Sequence, residues 1–419
     1  MSRFLMNALP FVFLLAAAQG FSLALLLAGL KRGNRTANRF LISLLFVFSI
    51  GLVSAFLSVT YAYRRYPVLI GIEWPLAFLY GPLVYFYVKS LTGQAGQIHR
   101  GKLFAHAIPA ILLYLYLIPV LLMDPATKGE AWFFQNSHLK NYSPVVDPIL
   151  YVIIVQIGGY LALSLRILKV HAKNIRENYS SLEHVSLAWL RKLIILVICL
   201  LYLFTFYAVL SQYLGLYREA EFLLHLMTAL LIYGMGYKGI RQPEIFTASA
   251  TVQGSDGIDA SSRLTDSRAG ISQAPPPEEE NGQGVKYRKS SLTHEQSGAI
   301  LAQLLHVMEH ERPYRESSLT LTMLSNMLDA SPHHISQVIN EKLGKSFFDF
   351  VNEYRVQETK NALVSPESNR FSVLGIALDA GFNSKSAFYT AFKKHTGMTP
   401  TQFKDRFTHP EHPPIQDPR

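Results

Sequence analysis

Two sets of polar side chains recur at helical spacing near the C-terminal end of this chain: His333, Ser336, Gln337 and Asn340, then Ser386, Tyr389, Thr390 and Lys393. Positions i, i+3, i+4 and i+7 lie on one face of an α-helix. Both faces are hydrogen-bonding throughout. Gln and Asn amides can pair bidentately with adenine edges, while Ser, Thr and His donate or accept less selectively. Lys385 stands beside the second set, within reach of a base edge, and Lys345, Ser384, Lys393 and Lys394 suit phosphate contacts, which position a helix on duplex DNA without reading it. A solvated helix face would have the same polarity, so the elements behind these residues must decide between the two readings.

Those elements are written twice. SPHHISQVINEKLG, Ser331 to Gly344, and SKSAFYTAFKKHTG, Ser384 to Gly397, share a Ser, two apolar positions (Ile335 and Ile339; Phe388 and Phe392) and a closing Gly in one register. Each follows a short amphipathic run ending in Leu-Asp-Ala, at Leu328 to Ala330 and Leu378 to Ala380, so helix, tight turn and helix are expected twice. Ser331 caps the first of these helices with Pro332 at its first position, and Gly381 is expected in a left-handed turn. Leu321, Leu324, Met327 and Leu328 should face the first core. A stripe of Ile300, Leu301, Leu304, Leu305 and Met308 should pack on that unit, a long helix from Phe347 to Val364 should join the two units, and Thr399-Pro400 should open a closing helix to Phe407. The duplicated register favours a DNA-reading device over a solvated face.

From about Leu319 to Phe407, about a fifth of the chain, the sequence resembles the C-terminal DNA-binding domain of the AraC/XylS family. SPHHISQVINEKLGKSFFDFVNEYRV and IALDAGFNSKSAFYTAFKKHTGMTPTQFK carry the likeness, matching the family's GF-x-S-x3-F-x3-FK-x3-G-x-TP-x-(F/Y) pattern. The resemblance implies a seven-helix domain whose two recognition helices enter successive major grooves on one face of the DNA, with base contacts at His333, Ser336, Gln337, Ser386 and Thr390. Many members carry Arg where this chain has Gln337 and Thr390, so bidentate guanine contacts are not expected here.

The chain as a whole is 50% hydrophobic and 16% charged, and nearly all of that imbalance sits before residue 241, in a segment with the composition of a membrane protein. Apolar runs at about Pro10–Leu30, Phe40–Tyr61, Leu69–Val88, Leu103–Met123, Ile149–Leu165, Leu193–Leu214 and Phe222–Tyr237 could each cross a bilayer. Phe4 to Ala18 also resembles a signal-peptide core, but the apolar run continues to Leu30 and stops at Lys31-Arg32, as a retained span does. Connections after the first, third, fifth and seventh spans hold fifteen Lys and Arg against six on the opposite side. The N-terminus is therefore expected outside and the C-terminal half in the cytoplasm, where DNA is. Intramembrane polar residues are functional candidates by default, here Glu73, His106, Gln156, Gln212 and His225. This half resembles, less specifically, the polytopic sensor regions that precede such DNA-binding domains in some bacterial regulators.

The fold class expected is all-α: a seven-span polytopic helical membrane bundle followed by a seven-helix AraC-type double helix-turn-helix domain. The domain boundaries read as 1–241 for the transmembrane sensor, 242–291 for a flexible linker, 292–409 for the DNA-binding domain and 410–419 for a disordered tail. Pro243 to about Gly284 is Ser-, Gly-, Ala- and Pro-rich with Pro275 to Glu280 reading PPPEEE, a composition that cannot form a core. Cys199 stands alone, excluding a disulfide framework or cysteine metal cluster within one chain. No cofactor, metal or catalytic set is expected. Promoter DNA, the lipid bilayer, an unidentified signal ligand and a second copy of the chain are the expected partners of a one-component regulator in the bacterial inner membrane. The alternative is a transporter or integral-membrane enzyme with an appended DNA-binding domain, against which stand the lack of HExxH, paired intramembrane carboxylates and a nucleotide loop.

Overall fold

The computed structural model describes residues 3–29, 34–93, 100–130, 146–183, 185–214, 225–232, 234 and 292–408. The linker and C-terminal tail expected from the sequence lie outside them. Two compact units divide the chain: 1–171 with 187–264, and 172–186 with 265–419. Among the described residues the only β-type pairing is a bridge between Tyr179 and Thr320.

The first unit contains α1 (Arg3–Gly29), α2 (Arg35–Val59), α3 (Tyr80–Leu91), α4 (Arg100–Leu121), most of α5 (Val146–Asn178) and α6 (Ala188–Leu214). Asn34 starts α2 by accepting from the Ala37 amide at 3.0 Å, and its own amide donates to the Ser90 carbonyl at 2.8 Å, tying α2 to the end of α3. Phe13, Leu44, Leu45, Leu52, Val88 and Leu161 form part of one core. Leu25, Leu112, Val155, Tyr202 and Phe206 point outward uncovered, a distribution suited to lipid.

Among the described residues six stretches are long and apolar enough to cross a membrane: 10–29, 35–59, 67–91, 103–121, 148–178 and 188–207. The seventh expected span, Phe222–Tyr237, is described only at 225–232 and 234. The third is not one continuous α-helix. Short 3-10 turns at Pro67–Leu69 and Trp74–Leu79 precede α3, with Gly71 at φ +85° between them. Pro67, Pro75 and Pro82 withhold the amides that a continuous helix would need.

The second unit holds α7 (His294–His310), α8 (Leu321–Leu328), α9 (Pro332–Leu343), α10 (Phe347–Val364), α11 (Val373–Asp379), α12 (Lys385–Thr396) and α13 (Pro400–Thr408). Each opens on a Ser or Thr whose hydroxyl accepts a backbone amide of the first turn: Thr293, Thr320, Ser331, Ser346, Ser372, Ser384 and Thr399. Leu304, Met308, Leu324, Ile335, Ile339, Phe347, Phe350 and Val351 build one core. Val356, Leu363, Ile376, Phe382, Phe388, Phe392 and Phe403 build a second. The joining helix α10 thus gives its first half to one core and its second half to the other. Met327, expected inside, is 44% exposed instead, because Leu324 and Leu328 already complete the buried stripe of the short α8.

Candidate nucleic-acid interface

The two repeats fold alike at their ends. In α9 the Ser331 hydroxyl accepts from the His334 amide at 3.2 Å and Gly344 closes the helix at φ +67°. In α12 the Ser384 hydroxyl accepts from the Ala387 amide at 3.1 Å and Gly397 closes at φ +75°. Ile335 with Ile339, and Phe388 with Phe392, are fully buried, which fixes how each helix is rotated on its core. The entry turns differ. Asp329 takes the left-handed conformation in the first helix-turn-helix, whereas Gly381 takes it at φ +97° in the second. A Cβ on Gly381 would lie 2.3 Å from the Tyr314 carbonyl oxygen, so only glycine fits there.

On α12, Lys385, Ser386, Thr390, Lys393 and Lys394 are exposed and Tyr389 is half-buried. The Lys385 ammonium lies 5.5 Å from the centre of the Tyr389 ring. A groove of about 440 Å³ runs beside this helix, lined by Tyr389, Thr390, Lys393, Lys394 and Thr399. Lys394 pairs with Asp349 at 2.5 Å, and Lys345 pairs with Glu353. Burial of Asp349 opposes its ionisation, but hydrogen bonds from Lys394 and Ser346 outweigh it and hold the carboxyl below its ordinary range.

On α9 the outward face is narrower than the sequence suggests. His333 is exposed, and Ser336 and Asn340 are half-buried, with the Asn340 amide donating to the Ser336 carbonyl at 2.8 Å. Gln337 corrects the sequence reading. It is only 6% exposed, its amide donates to Glu341 at 3.1 Å, and its oxygen has no hydrogen-bond partner among the described residues. Helical phase alone puts Gln337 on the polar side, but α7 packs against α9 and widens the covered sector.

Arg355 was not marked by the sequence pattern, where it looks like surface charge on α10. Its side chain is 1% exposed. Its Nε donates to the Tyr314 carbonyl at 2.7 Å and its Nη2 to the Glu316 carbonyl at 2.8 Å, while two further bonds reach Ser180, at 3.1 Å to the carbonyl and 3.0 Å to the hydroxyl. Burial lowers its pKa to about 10, partly offset by Glu316, so the guanidinium stays charged at neutral pH. A buried cation is tolerable only when its donors are satisfied in this way.

The polar residues expected within the apolar spans of the first unit fall into separate contacts. Glu73 accepts from the Ser54 hydroxyl, which also bonds Tyr63 at 2.7 Å. His106 meets the Tyr160 hydroxyl at 2.5 Å, and the Gln156 amide donates to the Phe78 carbonyl at 3.1 Å. His225 lies edge-on to Phe13 with ring centres 5.9 Å apart. The Gln212 side chain lies outside the described residues. No group of three His, Cys, Asp or Glu suited to a metal occurs among the described residues.

Comparison with known proteins places a helix-turn-helix domain at residues 324–406. Over 103 residues the chain is 28% identical to the "Uncharacterized HTH-type transcriptional regulator YtdP" of Bacillus subtilis, a match covering 25% of this chain and 13% of that protein. Over 97 residues it is 28% identical to the "Probable transcription factor PqrA" of Proteus vulgaris, covering 23% of this chain and 77% of that one. The solved C-terminal domain of AraT, a response regulator from Geobacillus stearothermophilus, is 25% identical, covering 30% of this chain and 97% of that chain with a TM-score of 0.24.

Proposed function

We propose that the chain, whose residues 324–406 match a helix-turn-helix domain, is a membrane-anchored one-component transcription regulator of AraC type whose apolar half receives a signal and whose α9 and α12 read promoter DNA. The observation that carries the reading is the matched pair of capped helices, each opening on Ser and closing on left-handed Gly, joined by one helix shared between two cores. Such a pair presents two polar faces in a fixed relation, which duplex DNA can accept in neighbouring turns of the major groove.

In this reading Ser336, Asn340 and His333 on α9, and Lys385, Ser386, Tyr389 and Thr390 on α12, meet base edges. Ser384 and Lys393 contact phosphate, with Lys345 and Lys394 exchanging their carboxylate partners for phosphate on binding. Six apolar helices support membrane anchoring, and the fifteen-to-six distribution of Lys and Arg supports an outside N-terminus and a DNA-binding half in the cytoplasm of a bacterial inner membrane. Glu73, His106, Gln156, Gln212 and His225 are proposed as the polar positions through which the signal acts. The domains follow as 1–241 for anchoring and sensing, 242–291 for the linker and 292–409 for DNA. A second copy is a proposed partner, since linking two reading domains raises their effective concentration on paired sites.

The test is selection of duplexes from a random pool by the full chain in lipid nanodiscs. Enrichment of a bipartite site with half-sites about one helical turn apart (~10 base pairs) is expected. Recovery of sequences indistinguishable from the input pool overturns the reading.

A further inference from the structure

The segment between α5 and α6 looks, in the sequence, like an ordinary polar connection between spans. The structure groups residues 172–186 with the C-terminal unit, and the contacts are specific. Tyr179 forms a bridge with Thr320, and the Ser180 amide donates to the Leu319 carbonyl at 3.1 Å. Ser180 is 1% exposed, its carbonyl and hydroxyl taking two donors of Arg355. The Asn383 amide donates to the Ser181 hydroxyl at 2.6 Å. The Ser384 hydroxyl donates to the Glu183 carboxylate. Before these, the Arg176 guanidinium lies 5.9 Å from the centre of the Phe348 ring.

The segment therefore touches the cap of α8, the middle of the joining helix and the cap of α12, one point in each helix-turn-helix unit and one between them. The last contact matters most. Ser384 begins the second reading helix, where the first-turn amides and the helix dipole favour an anion, and where the function proposed above puts a DNA phosphate. Glu183 supplies an anion already. One oxygen acceptor can take the Ser384 hydroxyl hydrogen at a time, and a carboxylate beside an incoming phosphate is repelled by it. Glu183 is exposed, so leaving this position uncovers little apolar surface.

The geometry points to the 179–183 segment as an internal competitor for DNA, a carboxylate held in the phosphate position of α12 by anchors at Ser180 and Ser181. This rests on the DNA-binding reading above and adds its control. The seated segment describes the silenced state. Because α5 is one unbroken helix from Val146 to Asn178, rotation or sliding of its apolar part is carried along a stiff rod to Tyr179 and the anchors, without passing through the 242–291 linker.

The experiment uses the full chain in nanodiscs with Cys199→Ser, Ser181→Cys and Asn383→Cys, bridged by a short reducible bis-thiosulfonate reagent. The probe is a fluorescent duplex from immediately upstream of the chain's own coding sequence, at low salt, where phosphate contacts dominate affinity. The bridged protein is expected to bind at least tenfold more weakly than the same sample after reduction, and excess duplex is expected to slow bridging. A second variant, Glu183→Ala without added thiols, is expected to bind roughly three- to tenfold more tightly than the parent, the scale of one charge-assisted hydrogen bond. Equal affinity before and after reduction, with bridging unaffected by duplex, overturns the competition while leaving DNA binding intact. Failure of the two thiols to bridge overturns the seating itself. Absence of duplex binding by the reduced and parent proteins alike overturns the DNA-binding reading and the competition together.

Discussion

Replacing Gly381 with Ala should cost far more than the same change at Gly344, although both glycines have left-handed backbones, Gly344 at the end of α9 and Gly381 in the turn ahead of α12. At Gly344, φ is +67° and nothing lies within 4 Å of a built Cβ. Only the conformational term acts, roughly 1 kcal/mol. At Gly381, φ is +97°, and the Cβ would meet the Tyr314 carbonyl oxygen at 2.3 Å and Arg315 Cα at 2.8 Å. These are backbone atoms, unable to swing aside as a side chain does. Overpacking of this kind adds roughly 1–3 kcal/mol to a strain of ~1–2 kcal/mol. The Tyr314 carbonyl is also an acceptor for Arg355, so pushing it away loosens a buried cation. At about 4 °C per kcal/mol for a domain of this size, Gly381→Ala should lower the melting midpoint by roughly 10–20 °C and Gly344→Ala by about 4 °C. The three Trp residues lie at 74, 132 and 189, so intrinsic fluorescence does not report on the C-terminal unit. Thermal pulse proteolysis of the full chain, followed on the fragment from 292 to 408, does. Equal midpoints for the two variants would refute the steric argument.

Gln337→Leu should leave the affinity for a selected duplex within about twofold of the parent and stability unchanged or raised, since it removes a buried oxygen without a partner, whereas Ser386→Ala and Thr390→Ala should each weaken binding by ~1–3 kcal/mol. A tenfold loss on Gln337→Leu in fluorescence anisotropy would show that this side chain leaves its buried position to read a base. Asp349 has a folded pKa below its ordinary 3.8. Its ion pair with Lys394 therefore contributes stability above pH 3.8 and loses it as the pH falls further, through the folded value. Asp349→Asn should remove about 0.5–1 kcal/mol at neutral pH and flatten the acid limb of a urea-midpoint profile, an effect that an unchanged profile would contradict.

The parts of the C-terminal unit that the sequence made legible are those set by local chemistry. Ser331 and Ser384 start helices because a hydroxyl there satisfies an orphan amide, Gly344 and Gly397 end them because only glycine takes that turn cheaply, and the bounds of α10 follow from the caps on either side. What escaped was set by residues distant in the chain. Gln337 sits at a polar phase of α9 but is buried, on a helix against which α7, His294–His310, packs from well outside the local sequence. Arg355 has the charge of a surface residue but stands four positions after buried Val351 on the same side of α10, where the carbonyls of Tyr314, Glu316 and Ser180 converge on it. Residues 172–186 carry the polar composition of any connection between apolar helices, and nothing local says that Ser180 has a seat among the C-terminal helices of the second unit. The break ahead of α3 was partly readable: Pro67, Gly71, Pro75 and Pro82 interrupt an apolar run whose hydropathy alone suggests one span.

The division of α10 between two cores constrains how this protein can change over evolutionary time. Phe347 to Val351 and Val356 to Leu363 are buried in different modules on one rod. Inserting a single residue between them would turn the second module by roughly 100° about the rod axis, pointing α12 away from any duplex that α9 engages. Spacing between the two halves of a target site can therefore drift only in company with compensating insertions of near-whole helical turns. Operators for such a protein are expected to diverge in letters long before they diverge in length.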